Sequence, residues 1–204
     1  MAGASRMSVS QAEQRIKQLR PYMKKGQGGI TASGGEPTLQ PDFLRELFRL
    51  AHQLGVTTAL DTNGSCPPSK APGILNHTDT VLLDVKASTE VLHKWLTGQP
   101  LAPTAEFGRR VSERQKKTGS PVLIVRRVIL PGLNDTEEEM QALVKYLKGL
   151  PVTPAVELIP YHKMGMHKWK ELGLEYELTA LKPPRSECIN RIKRRLVRAD
   201  IPVL

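Results

Sequence analysis

Hydrophobic positions along the chain fall into short runs separated by longer amphipathic stretches. Residues 28–33 (GGITAS), 57–61 (TTALD), 80–85 (TVLLDV), 121–130 (PVLIVRRVIL) and 155–161 (AVELIPY) are rich in β-branched and aliphatic side chains and read as strands. The later runs are apolar enough to be buried on both faces, as strands of parallel sheets usually are. Between them, 41–54, 104–118 and 135–149 show helical periodicity, a proline-broken segment near 67–76 gives a weaker helix, and 10–25 is a loose helix ending at Gly26. The helix over 135–149 follows Asn134 and opens on Asp135 and Thr136, with three glutamates next. Acids there meet the positive end of the helix dipole. The alternation predicts an α/β fold with a parallel sheet, in one domain over 1–204, with residues 1–10 disordered.

The polar residues that end each strand are more informative than the strands. The first run ends in Ser33-Gly34-Gly35-Glu36-Pro37, the second in Asp61-Thr62-Asn63-Gly64, and the third in Asp84-Val85-Lys86. The fourth carries Arg126 and Arg127 and runs into Pro131-Gly132; the fifth ends in Pro160-Tyr161-His162. Carboxyl ends of parallel strands share one rim, where ligands of α/β proteins bind. Gly34 and Gly35 let a ligand approach the backbone, and Glu36 offers a carboxylate to an ammonium group. Asp61 and Asp84 suit either a shared cation or the hydroxyls of a ribose. Lys86 suits a carboxylate, or simply an ion pair with Asp84 two residues earlier. His162, at a strand end, suits stacking on a ligand or a hydrogen bond to it.

Several chemistries have no support. No G-x-G-x-x-G opens a helix, no G-K-[ST] follows the glycines, and no G-x-S-x-G elbow is present. His162 and His167 are five residues apart and lack the acidic and thiol neighbours of a zinc site. Cys66 reads as a free loop thiol and Cys188 as a small packed residue of the last helix. Two cysteines without framework spacing point to a reducing, cytoplasmic setting; the Ser/Arg-flavoured start leaves organelle targeting open.

Charge sharpens the picture at the ends. Thirty basic against twenty acidic residues give +10, and residues 1–30 and 182–204 contribute +5 each. In the last segment Ile189, Ile192, Leu196 and Val197 form an apolar helical stripe beside Arg191, Lys193, Arg194, Arg195 and Arg198. This is a solvated basic face, a docking surface for an acidic protein, or a nucleic-acid surface. The last lacks zinc-finger spacing and aromatic RNA-binding strands, so no nucleic acid is expected. No apolar run reaches the roughly 20 residues of a membrane helix, so no membrane is expected either.

Taken in order, GGITASGGEPTLQ (28–40), LDTNG (60–64), TVLLDVK (80–86), VRRVILPGLND (125–135) and ELIPYHKMGMHKW (157–169) resemble the glycyl-radical-enzyme activating enzymes of the radical S-adenosylmethionine superfamily. The absence of an inserted cysteine-rich segment favours the pyruvate formate-lyase branch. The resemblance implies a partial (β/α) barrel of parallel strands, with about five of the family's six β/α units present. It implies S-adenosyl-L-methionine as cofactor, held by Gly34, Gly35 and Glu36 at its amino group and by Asp84, Val85 and Lys86 along ribose and carboxylate. His162 would close the nucleoside side, with Arg126 in the same pocket. Asp61 and Asp84 match a monovalent-cation site of the family. A four-iron four-sulfur (4Fe-4S) cluster, an anaerobic setting, a glycyl radical enzyme such as pyruvate formate-lyase as partner, and flavodoxin or ferredoxin as reductant follow from the same resemblance. The family reaction cleaves S-adenosylmethionine to a 5′-deoxyadenosyl radical, which takes hydrogen from a glycine of the partner.

One departure is severe. The cluster needs three thiolates in a C-x3-C-x2-C loop before the Gly-Gly-Glu turn, and no cysteine precedes Gly34. The expectation is an activating enzyme without its cluster segment, inactive alone. The alternative is a non-catalytic protein that still binds S-adenosylmethionine or the partner.

Overall fold

A computed structural model describes residues 5–204 except Gln27, Leu172 and Leu174, and leaves aside the side chains of Lys168, Trp169 and Lys170. Five parallel strands form one sheet in chain order: β1 (Gly29–Ala32), β2 (Thr57–Thr62), β3 (Thr80–Asp84), β4 (Val122–Ile129) and β5 (Ala155–Pro160). The helices are α1 (Val9–Lys25), α2 (Pro41–Gln53), α3 (Ala71–Leu75), α4 (Glu90–Thr97), α5 (Ala102–Thr118), α6 (Glu137–Lys148), α7 (Met166–Glu171) and α8 (Ser186–Arg198). The sheet is open, with β1 and β5 at its edges. Near its end the chain runs beside β5, where Val156 N donates to Pro202 O and Leu204 N to Val156 O.

Period-two alternation assigns each strand a buried and an open face. Leu60, Val81, Leu83, Leu123, Val125 and Val156 face the helices and are almost wholly buried. With Phe48, Val111, Leu143, Leu147, Ile192 and Leu196 they form the main core. Ile16 of α1 joins Ala51 and Val56 in a second, smaller core. The other face, carrying Ala59, Asp61, Leu82, Asp84, Ile124, Arg126 and Glu157, is half-buried. Burial of the strands on both faces is therefore corrected: the helices cover one side of an unclosed sheet. Val197 also departs from its stripe. It is exposed while Ile192 and Leu196 are buried.

Local chemistry sets the helix ends. Ser8 and Gln11 form a reciprocal capping box at α1. Helix α1 thus starts inside the segment expected to be disordered, while residues 1–4 lie outside the described residues. Thr136 caps α6 ahead of three glutamates. Gly98 and Gly119 end α4 and α5 at φ 70° and 78°, a conformation that costs glycine little. Helix α4 has no cap from its own Thr89 side chain. The two amides just before it are held by Glu139 of α6: Ser88 N donates at 2.7 Å and Thr89 N at 2.9 Å.

Candidate functional site at the strand rim

All five strand ends lie on one edge of the sheet because the strands are parallel and register-matched. Thr62 pairs Leu83, Asp84 pairs Arg126, and Arg126 pairs Glu157. On the open face this register aligns charged side chains from four strand tails. Ser33 Oγ donates to Asp61 Oδ2 at 2.9 Å, and Arg126 donates to the same oxygen at 3.0 Å. Arg126 Nε reaches Glu157 Oε2 at 2.8 Å. Burial pulls the Arg126 pKa down, but Asp61 and Glu157 outweigh it and the net direction is up. Beside this chain Lys86 Nζ pairs with Asp84 Oδ2 at 2.8 Å.

The glycine turn is open. Gly34 sits at φ 129°, and a Cβ on Gly34 or Gly35 would meet nothing within 4 Å. Glu36 does something its sequence did not suggest. Its Oε1 accepts from Thr38 N (3.0 Å), Thr38 Oγ1 (2.6 Å) and Thr62 Oγ1 (2.8 Å), and its Oε2 from Asn63 N (2.8 Å). The carboxylate pins the tail of β1 to the tip of β2. Val85 turns its side chain away from the rim. It is buried against a cavity of about 160 Å³ lined by Ser88, Leu101, Thr104, Ala105 and Tyr146. Only its backbone faces the strand ends, with its N–H donating to Arg126 O at 3.0 Å. His162 is exposed just beyond β5, behind the buried Tyr161, whose hydroxyl donates to Leu178 O.

The two carboxylates expected at a monovalent-cation site each face a side-chain cation: Asp61 pairs with Arg126 and Asp84 with Lys86. Cys66 is a free thiol on the loop after β2, as expected, but the loop buries it in the core, and burial, with Glu36 nearby, pushes its pKa up to about 11. Among the described residues no cluster of three His, Cys, Asp or Glu side chains has a metal-binding arrangement.

The structure adds Glu157 to the rim and takes Arg127, named with Arg126 at the end of the fourth strand, away from it. Glu157 shares the open face with Arg126 through the β4–β5 register, a relation visible only once the strands are paired. Arg127, the next residue, points into the helix-covered side. It is fully buried and donates to Ser88 Oγ (2.9 Å), Asn134 O (2.9 Å) and Glu139 Oε2 (2.7 Å). Asn134, also fully buried, donates to Lys86 O (3.0 Å) and Val128 O (2.7 Å) and accepts from Leu130 N (2.8 Å).

The family model described as "Radical SAM superfamily" matches residues 3–147. The chain belongs to that superfamily. A pyruvate formate-lyase-activating enzyme of Staphylococcus epidermidis is 35% identical over 195 residues, covering 92% of this chain and 75% of the relative. The pyruvate formate-lyase 1-activating enzyme of Escherichia coli K12 is 33% identical over 193 residues, 94% of this chain and 76% of the relative. Among solved structures, a domain of pyruvate-formate lyase-activating enzyme from Bacteroides vulgatus superposes with a TM-score of 0.72. It is 22% identical and covers 87% of this chain and 98% of that one. The fold is thus that of a radical SAM sheet. No helix among the described residues is long and apolar enough to cross a membrane.

This radical SAM chain offers a donor set suited to S-adenosylmethionine: an open glycine turn, a carboxylate, an ammonium and a guanidinium on one rim. It does not offer one suited to a four-iron four-sulfur cluster. That cluster asks for three thiolates and the sequence holds two cysteines. Cys66 lies in the core. Cys188 is on α8, where its thiol donates to Asp135 Oδ2 at 3.2 Å. Burial, then this carboxylate, raises the Cys188 pKa, which disfavours the thiolate a metal needs.

Proposed function

We propose that the rim binds S-adenosylmethionine and that the chain acts in the activation of a glycyl radical enzyme such as pyruvate formate-lyase. What carries the reading is the Asp84–Lys86 pair beside Arg126, on the open rim of a chain whose relatives are pyruvate formate-lyase-activating enzymes. Gly34 and Gly35 let the methionine end approach the backbone, and Glu36 holds that turn in place while facing the amino group. Lys86 takes the carboxylate, Asp84 accepts from the ribose hydroxyls, and the Val85 backbone lines the path between them. His162 lies along the nucleoside, and Arg126 adds positive charge beside the carboxylate. S-adenosylmethionine, when bound, would supply a 5′-deoxyadenosyl radical only on taking an electron that flavodoxin or ferredoxin delivers through a 4Fe-4S cluster, and the two cysteines of this chain fall short of the three thiolates that cluster needs.

Calorimetry with S-adenosylmethionine on the purified chain tests the rim. Binding that Lys86→Met and Asp84→Asn weaken together is the expected result; no binding by the unaltered chain overturns it.

The two-cysteine count favours a second reading: the chain alone holds S-adenosylmethionine without cleaving it. Anaerobic reconstitution with iron and sulfide is expected to give no stoichiometric cluster. A cluster that cleaves S-adenosylmethionine would end this second reading.

A further inference from the structure

Behind the rim, on the side away from any ligand, lies a buried polar network that the proposed chemistry does not use. Asn134 joins the carbonyls of Lys86, two residues past Asp84 at the end of β3, and Val128, two residues past Arg126 on β4. One side chain therefore fixes the spacing of the β3 and β4 tails just beyond the charged residues. Arg127 holds the Asn134 carbonyl, Ser88 and Glu139. Glu139 in turn holds the Ser88 and Thr89 amides, so residues 86–89 are gripped from β4, from the loop after it and from α6. Within this buried network Arg127 Nε alone lacks a partner, and each further lost bond would leave another polar group unsolvated, which favours one arrangement.

We infer that Asn134, Arg127 and Glu139 are positioning residues that set Asp84 and Lys86 for the rim ligand. The inference rests on the proposed binding of S-adenosylmethionine. Network residues stay out of contact with the ligand and act through the backbone of residues 84–89. Small displacements suffice, since misplacing a binding group by about 1 Å can cost as much as 10²-fold.

The test uses the whole chain and three variants. Asn134→Asp keeps the volume and the acceptor for Leu130 but loses both donors. Glu139→Gln keeps an acceptor for the loop amides but loses the charge facing Arg127. Leu143→Ala removes core packing from the same helix and serves as the stability control. Three quantities are read: the Kd for S-adenosylmethionine, amide hydrogen exchange over residues 86–89, and the thermal midpoint.

Asn134→Asp is expected to raise Kd about tenfold and to speed exchange over 86–89. Leu143→Ala, at an equal or lower midpoint, is expected to leave Kd within about twofold. Equal losses of affinity in the two variants at matched midpoints would overturn the inference, as would an unchanged Kd in Asn134→Asp. If Asn134→Asp does not fold, Glu139→Gln carries the same comparison. If the unaltered chain binds no S-adenosylmethionine, the rim reading fails and exchange alone decides. Faster exchange confined to 86–89 supports the network's hold on the rim, and faster exchange throughout the chain overturns it.

Discussion

Arg126 and Arg127 are consecutive in β4, yet they live in different surroundings. The pleat sends Arg126 to the open face, where it spans Asp61 and Glu157 with about a quarter of its side chain exposed. It sends Arg127 to the helix-covered face, where it is wholly buried and its Nε has no partner. The difference teaches what each charge is for. A buried guanidinium is tolerated only when oriented partners replace water, so Arg127 is bound to three of them. A partly exposed guanidinium keeps water as an alternative partner and can exchange a neighbour for a ligand.

Stability should separate the pair most. Removing Glu139 by Glu139→Ala strands the Arg127 charge and is expected to cost about 3–5 kcal/mol in urea unfolding. Arg126→Ala should cost about 0–1 kcal/mol, because its pairs are partly solvated. Equal losses would erase the distinction drawn between the two faces.

Acid should expose the same asymmetry. Burial alone would raise the Glu139 pKa, but bonds from Thr89, Ser88 and Arg127 outweigh it and hold it below 4.5. A depressed folded pKa means that this stabilisation is full above the unfolded value of 4.5 and fades as pH falls through the folded one. Denaturation curves at stepped pH should show it, with Glu139→Gln flattening the loss below pH 4.5.

On the open face, Arg126→Ala should weaken S-adenosylmethionine binding about tenfold while the unfolding midpoint barely moves. A variant that lost stability and kept full affinity would move Arg126 into the scaffold. The smallest effect concerns the thiols. With its pKa near 11, Cys66 should resist iodoacetamide in the native chain at pH 8 and react once unfolded, as mass spectrometry would read. Rapid native labelling of Cys66 would place it outside the core.

Much of the fold was legible because the strands announce themselves. All five expected runs contain the observed strands to within a residue or two, since β-branched runs bounded by Gly, Pro and Asp leave few alternatives. Helix α4 was not legible. It is short, and Glu139, which holds the two amides just before it, lies some 50 residues away. The candidate site was half legible. Asp84, Lys86, Arg126 and Asp61 stood at strand ends and meet on one rim, whereas Glu157, Asn134, Arg127 and Glu139 gained their places only through pairing and burial.

The amino-acid sequence by itself determined the order of strands and helices, the superfamily and the count of two cysteines. Each follows from local periodicity, motif spacing or simple counting. The tertiary structure alone decided which arginine is buried among the helices and which lies on the open rim, that Glu36 fastens one strand tail to the next, and that Arg126 and Lys86 pair with the two rim aspartates. Those outcomes depend on strand register and on the exclusion of water from one face, and neither is written in any single stretch of residues.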